Sequence, residues 1–306
     1  MAGATAGSGY DARHLPLERA GGARPGERDV YKHLIVHMDG GERAAERLAL
    51  AVKLAQRFGA RLTGLFAEGQ AWGPKLRRSK ALHPYARSLK AAAARFEQAV
   101  REARVEADWW RVPDHEMDVG GIAARFCRYA DLAVLGQADP EEGRFPEDLP
   151  SQVLLESGRP VLLVPSVGHY GDTGRRVVVA WDGSREAARA LNDALPLMKD
   201  PEQVLVVDLK PRSLARSRNE SQQADVLRHL KAHGITATRE RVLVDEGRAR
   251  DTGVDVVNLV LNSSADLGAD LVVMGARGRH GVPFPRPGRT TRESLASMVA
   301  PVLLSH

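Results

Sequence analysis

VVVAWDGSREAARALNDAL, residues 177–195, sets a run of valines against an Asp-Gly turn and then an apolar pattern at helical spacing. Valines on consecutive positions suit a strand covered on both faces, and the stretch after the turn suits a helix lying on it. The same unit occurs earlier as HLIVHMDGGERAAERLAL, residues 33–50. Asp39 pairs with Asp182, Gly40 with Gly183, Ala44 and Ala45 with Ala187 and Ala188, and Leu48 with Leu191. Two later stretches recur in the same order. ADLAVLGQ, ending at Gln137, parallels ADLVVMGA, ending at Ala276, and RPVLLVPS, with Pro160, parallels APVLLSH, with Pro301. Order, spacing and chemistry agree at all three places, which points to two homologous units in one chain.

A chain of 306 residues has room for two such units, each with its own core. Residues 1–29 are rich in Gly, Ala and Arg without periodicity and read as a flexible tail. The first unit is expected over 30–166 and the second over 174–306, joined by SVGHYGDTG. Within each, short β-branched runs alternate with longer amphipathic stretches, the pattern of a parallel sheet with crossover helices. Helices are predicted over 42–58 and 185–198, with Gly59, Gly234 and Gly268 placed where a helix ends in a left-handed residue. The predicted fold is α/β: two tandem, doubly wound, Rossmann-like sandwiches, each with a five-stranded parallel sheet.

Composition excludes several classes. The formal charge of +5 comes from interspersed acids and bases, without the basic face interleaved with aromatics that nucleic acid requires. Cys127 is the sole cysteine, so no internal disulfide can form, and its apolar surroundings in sequence read as a buried thiol. No apolar run approaches the length of a membrane span and no secretory signal opens the chain, so a cytoplasmic protein is expected.

Open α/β sheets take ligands beyond the carboxyl ends of their strands, where strand order reverses. In the second unit the first strand runs into Asp182, and the fourth into GARGRHGVPFPRPGRTTRESL, with Gly275, Gly278 and Gly288. Glycines there let main-chain N–H groups approach an anion, and a helix opening near Thr290 would present its own unpaired N–H groups. Arg277, Arg279 and Arg289 add positive charge. Asp182 reads equally as a ligand contact and as a turn and helix cap, a role its counterpart Asp39 would share.

The spacing G-x-x-G, nine residues, then G, at Gly275, Gly278 and Gly288, resembles the nucleotide-binding signature of universal stress proteins. AWDGSREAARAL and GADLVVMGA strengthen the resemblance, which runs from about Val30 to His306 and looks like the tandem members of that family. It implies the adenine nucleotide alpha hydrolase-like fold and ATP, with Mg2+ as a companion ion. On matching positions it nominates Ala180, Asp182, Gly275, Arg277, Gly278, Gly288, Thr290 and Thr291, with Leu209 lining an adenine pocket. It also implies that the two units pair within the chain through their last strands as a pseudo-dimer, with a homodimer and a protein partner as further options. Arg289 stands where the family has a small hydroxyl residue, and Pro283, Pro285 and Pro287 interrupt the same segment.

The first unit's loop, GQADPEEGRFPEDLPSQ, keeps Gly136 but carries Asp139, Glu141, Glu142 and Glu147, acids that would repel a triphosphate. His229 and His233 lie four apart on a predicted helix without a neighbouring Glu or a third ligand, so no metal is expected. Trp109 and Trp110 share a predicted strand and should face opposite sides of the sheet. No nucleophile or general base is placed for catalysis. The sequence therefore predicts a non-catalytic, nucleotide-responsive stress module. A nucleotide-independent scaffold and a slow ATP hydrolase are the alternatives.

Overall fold

The computed structural model describes residues 13–15, 31–68, 85–113, 118–137, 145–171, 173–211, 220–244, 254–276 and 298–306. The chain order is β1 (Arg13–Leu15), β2 (His33–Met38), α1 (Ala44–Phe58), β3 (Arg61–Phe66), α2 (Tyr85–Ala103), β4 (Ala107–Arg111), α3 (Val119–Cys127), β5 (Leu132–Gly136), α4 (Leu149–Glu156) and β6 (Val161–Val164). It continues with β7 (Arg176–Trp181), α5 (Arg185–Ala194), β8 (Gln203–Pro211), α6 (Glu220–Ala232), β9 (Thr238–Val244), α7 (Val254–Leu267), β10 (Leu271–Gly275) and β11 (Val302–Ser305). The fold is α/β, as the alternation of strands and helices predicted.

The eleven strands among the described residues form one sheet in the order β1-β4-β3-β2-β5-β6-β11-β10-β7-β8-β9. Strands β4-β3-β2-β5-β6 are parallel to one another, and so are β9-β8-β7-β10-β11. Strand order reverses beside β2 in one half and beside β7 in the other. The halves meet where β6 runs antiparallel to β11, with Leu163 opposite Val302 and Val161 opposite Leu304. The intrachain pairing through last strands, implied by the resemblance, is therefore the join of the sheet.

Both faces of the sheet are covered, which is why β2, β5, β6 and β11 read as apolar runs rather than as alternating ones. One face holds Leu34, Val36, Phe66, Phe96 and Trp109 together with Val177, Leu191, Val206 and Leu230, beneath α1, α2, α5 and α6. The other holds Ile35, Leu65, Ile122 and Val153 together with Val178, Ala180, Leu209 and Val260, beneath α3, α4 and α7. Trp109 packs on Phe66 and Phe96, whereas Trp110 meets Phe126 and His33 on the opposite face, as strand alternation requires.

The helices stop where their glycines predicted, with Gly59, Gly234 and Gly268 at φ of 59°, 79° and 59°. The aspartates of the repeated ADL motif have a structural task. Asp131 Oδ2 accepts from the N–H groups of Lys32 and His33, and Asp270 accepts from those of Gly174, Arg175 and Arg176. The two carboxylates thus fix the starts of β2 and β7.

The tail read as flexible is corrected at one point. Arg13–Leu15 pair antiparallel with β4, Leu15 opposite Ala107. Such pairing needs only backbone N–H and C=O groups at an exposed edge, so no hydrophobic period announces it. Helix α5 also ends at Ala194 rather than at 198, the remaining residues forming turns.

Candidate strand-end crevice and its filled counterpart

In the C-terminal half, β7 delivers Ala180 and Asp182 to the carboxyl end of the sheet. Ala180 and Leu209 are buried in the same apolar cluster beneath α7. Asp182 is exposed, and its Oδ1 accepts from the Ser184 N–H at 2.9 Å. Ser184 is the cap of α5, its Oγ accepting from the Ala187 N–H at 3.2 Å. Asp182 therefore shapes the turn while its neighbour caps the helix. Gly275 ends β10 against the first turn of α5, where a Cβ would lie 2.4 Å from the Ala187 nitrogen and 2.5 Å from the Glu186 carbonyl carbon. Glycine is required there for helix approach. The structure thus gathers Ala180, Asp182, Leu209 and Gly275 at the ends of β7, β8 and β10. Arg277, Gly278, Gly288, Thr290 and Thr291 lie outside the described residues, as do Arg289 and the three prolines.

The same place in the N-terminal half is filled. In the alignment that pairs Asp39 with Asp182, His37 falls opposite Ala180 and Arg47 opposite Ala190. Arg47 is buried, its Nη2 2.7 Å from Asp39 Oδ2 and its Nε donating to the His37 carbonyl at 2.5 Å. Its guanidinium passes so close to Gly136 that a Cβ there would lie 1.9 Å from Nη1. The His37 ring is buried edge-on against Phe145, with centroids 4.6 Å apart, and Nε2 bonds to the Ala67 carbonyl at 2.9 Å. Around them, Glu68 Oε1 accepts from the Gly40 N–H and Arg95 donates to the Gly41 carbonyl, both at 2.7 Å.

The electrostatics follow from this enclosure. Burial alone would raise the Asp39 carboxyl, but the Arg47 guanidinium, helped by His37 and the Gly41 N–H, holds it at about 2. Burial, reinforced by the Arg47 charge, pushes the His37 imidazole down to about 4, so the ring is neutral. Cys127 is fully enclosed and burial raises its thiol to about 12, an inert state.

Sequence reading missed Arg47, His37 and Glu68 as a unit, because Glu46-Arg47 inside a helix looks like a solvated face. The available signal was positional: a large polar residue in one copy opposite alanine in the other.

A parallel sheet of this strand order has known counterparts. Residues 174–306 match the universal stress protein family. A universal stress protein from Archaeoglobus fulgidus DSM 4304 superposes with a TM-score of 0.65 at 16% identity, over 89% of this chain and 95% of that one. A putative universal stress protein from Pseudomonas aeruginosa UCBPP-PA14 gives 0.57 at 15% identity, over 90% and 94%. These likenesses are of fold and span both halves of the chain. No curated protein matches the chain. No helix among the described residues is long and apolar enough to cross a membrane.

Proposed function

We propose that the chain is a tandem universal stress protein, with domains over 30–166 and 174–306, that binds one adenine nucleotide in its second domain and responds to it without catalysis. The carrying observation is the contrast between the halves. Where the second domain has Ala180 and an exposed Asp182, the first has His37 under Phe145 and an Asp39 neutralised by Arg47. The first half fills the strand end with its own side chains, whereas the position that the resemblance assigns to the nucleotide carries only the small Ala180 in the second.

In this reading Leu209 and Ala180 would hold the base of ATP, Asp182 the ribose, and Gly275, Arg277, Gly278, Gly288, Thr290 and Thr291 the phosphates, whose charge Mg2+ would offset. Nucleotide occupancy then alters association with a protein partner or a second chain in the cytoplasm. The start of α5 beside Gly275 supports an anion there, since helix N-termini favour negative charge.

Calorimetry of the full chain with ATP and AMP, with and without Mg2+, tests the reading. One equivalent per chain is expected, with the ATP recovered intact. Ala180→His, which copies the first domain's filling residue into the second, should abolish binding while circular dichroism is unchanged. Absence of saturable binding at millimolar nucleotide would favour the scaffold that works without nucleotide. Turnover lost on Gly288→Asp would favour the slow hydrolase.

A further inference from the structure

We propose that His229 and His233 on α6 form a two-histidine site for a divalent transition-metal ion such as Zn2+, Ni2+ or Cu2+, with Asn192 of α5 orienting the first ring. The sequence offered no third ligand near this pair, and what the fold adds from a neighbouring helix is a hydrogen-bond acceptor for the first ring. Residues four apart share a helix face, and here the two rings meet with centroids 4.7 Å apart and planes at 65°. His229 is half-buried and His233 exposed, so the pair opens to solvent on one side.

The Asn192 amide is fixed by its own contacts. Its Nδ2 donates to the Ala188 carbonyl at 2.8 Å, which turns Oδ1 toward His229 Nε2 at 3.2 Å. An oxygen acceptor there places the proton of the neutral ring on Nε2 and leaves Nδ1 with its lone pair. Metal-binding histidines are characteristically held this way, the second ring nitrogen donating to a carbonyl or carboxylate that sets tautomer and orientation. The first ring is thus prepared before any ion arrives. His233 places a second imidazole beside the first, one helical turn on.

Two neutral nitrogens select the borderline ions of the late first row over Mg2+ and Ca2+, which take oxygen ligands. Among the described residues no group of three or more His, Cys, Asp or Glu side chains comes together, so water would complete the coordination. An ion held here would tie α6 through Asn192 to α5, the helix that begins beside the candidate crevice.

Titration of the full chain with Zn2+ or Ni2+ alone tests the proposal, together with the nitrogen hyperfine pattern of bound Cu2+. The expected result is one equivalent bound, with two nitrogens on copper. His229→Gln and His233→Gln should each weaken binding by tenfold or more, with helicity preserved because neither ring is part of the core. Asn192→Ala should weaken it by about tenfold, the usual cost of losing an outer-shell partner, and Asn192→Asp should restore it. Equal affinity in the wild type and the His229→Gln/His233→Gln double variant would overturn the site, as would no binding by the wild type. Equal affinity in Asn192→Ala and wild type would overturn the orienting role.

Discussion

Arg47 is the residue on which the N-terminal half turns. Replacing it with Met keeps much of the stem's packing but strands the Asp39 carboxylate, so a loss of about 3–5 kcal/mol is expected in urea unfolding. Asp39→Asn/Arg47→Met should recover part of that loss, because no unpaired charge remains buried. Two acid windows follow from the same cluster. The His37 imidazole, at about 4 in the folded chain against about 6.5 when unfolded, refuses a proton that the unfolded chain accepts. Stability should therefore fall as pH drops from about 6.5 to about 4, and His37→Gln should flatten that slope. Asp39 contributes only lower down, its stabilisation intact above about 4 and lost as pH falls to about 2. Unfolding midpoints at pH 7.5, 5 and 3 separate the two windows. At Gly275 the expectation is steric. A methyl group would press on the backbone of α5, so Gly275→Ala should cost about 1–3 kcal/mol even if no ligand ever binds.

Among elements, β7 depends on a clip that lies outside it. Asp270 satisfies three N–H groups at the strand's entrance, and Asp270→Ala should cost about 1–3 kcal/mol and speed amide exchange at Arg175 and Arg176, with Asp270→Asn milder. That role shows how much the sequence made legible. The repeat of ADL was visible and its strand was placed correctly, because apolar periodicity is local information. The aspartate's partners were not visible, since they lie more than 90 residues away. Strand β1 escaped for a related reason: backbone pairing leaves no pattern in side-chain chemistry. At the crevice, Ala180, Asp182, Leu209 and Gly275 were nominated from family spacing, and the fold brings them together. The part played by Ser184 as cap, and the filling of the first crevice, depend on which side chains reach across the sheet.

At the scale of the whole molecule, β6 and β11 use up the apolar edge that each half would otherwise expose. A fragment of residues 174–306 should consequently self-associate through β11, appearing as a dimer by light scattering, while the full chain leaves that edge closed. The seam is also bridged by side chains. The Tyr31 hydroxyl donates to the Asp193 carbonyl, and Arg57 donates to the carbonyls of Thr173 and Leu197. Asp193 lies near the far end of α5, about 15 Å from the turn that Asp182 shapes, as expected for a ten-residue helix. Helix α5 is therefore a stiff strut with its foot at the strand ends and its head locked into the other half. Any tilt imposed at the foot must be felt by Tyr31, and Tyr31→Phe should slacken that strut while the paired strands and Arg57 still hold the halves together.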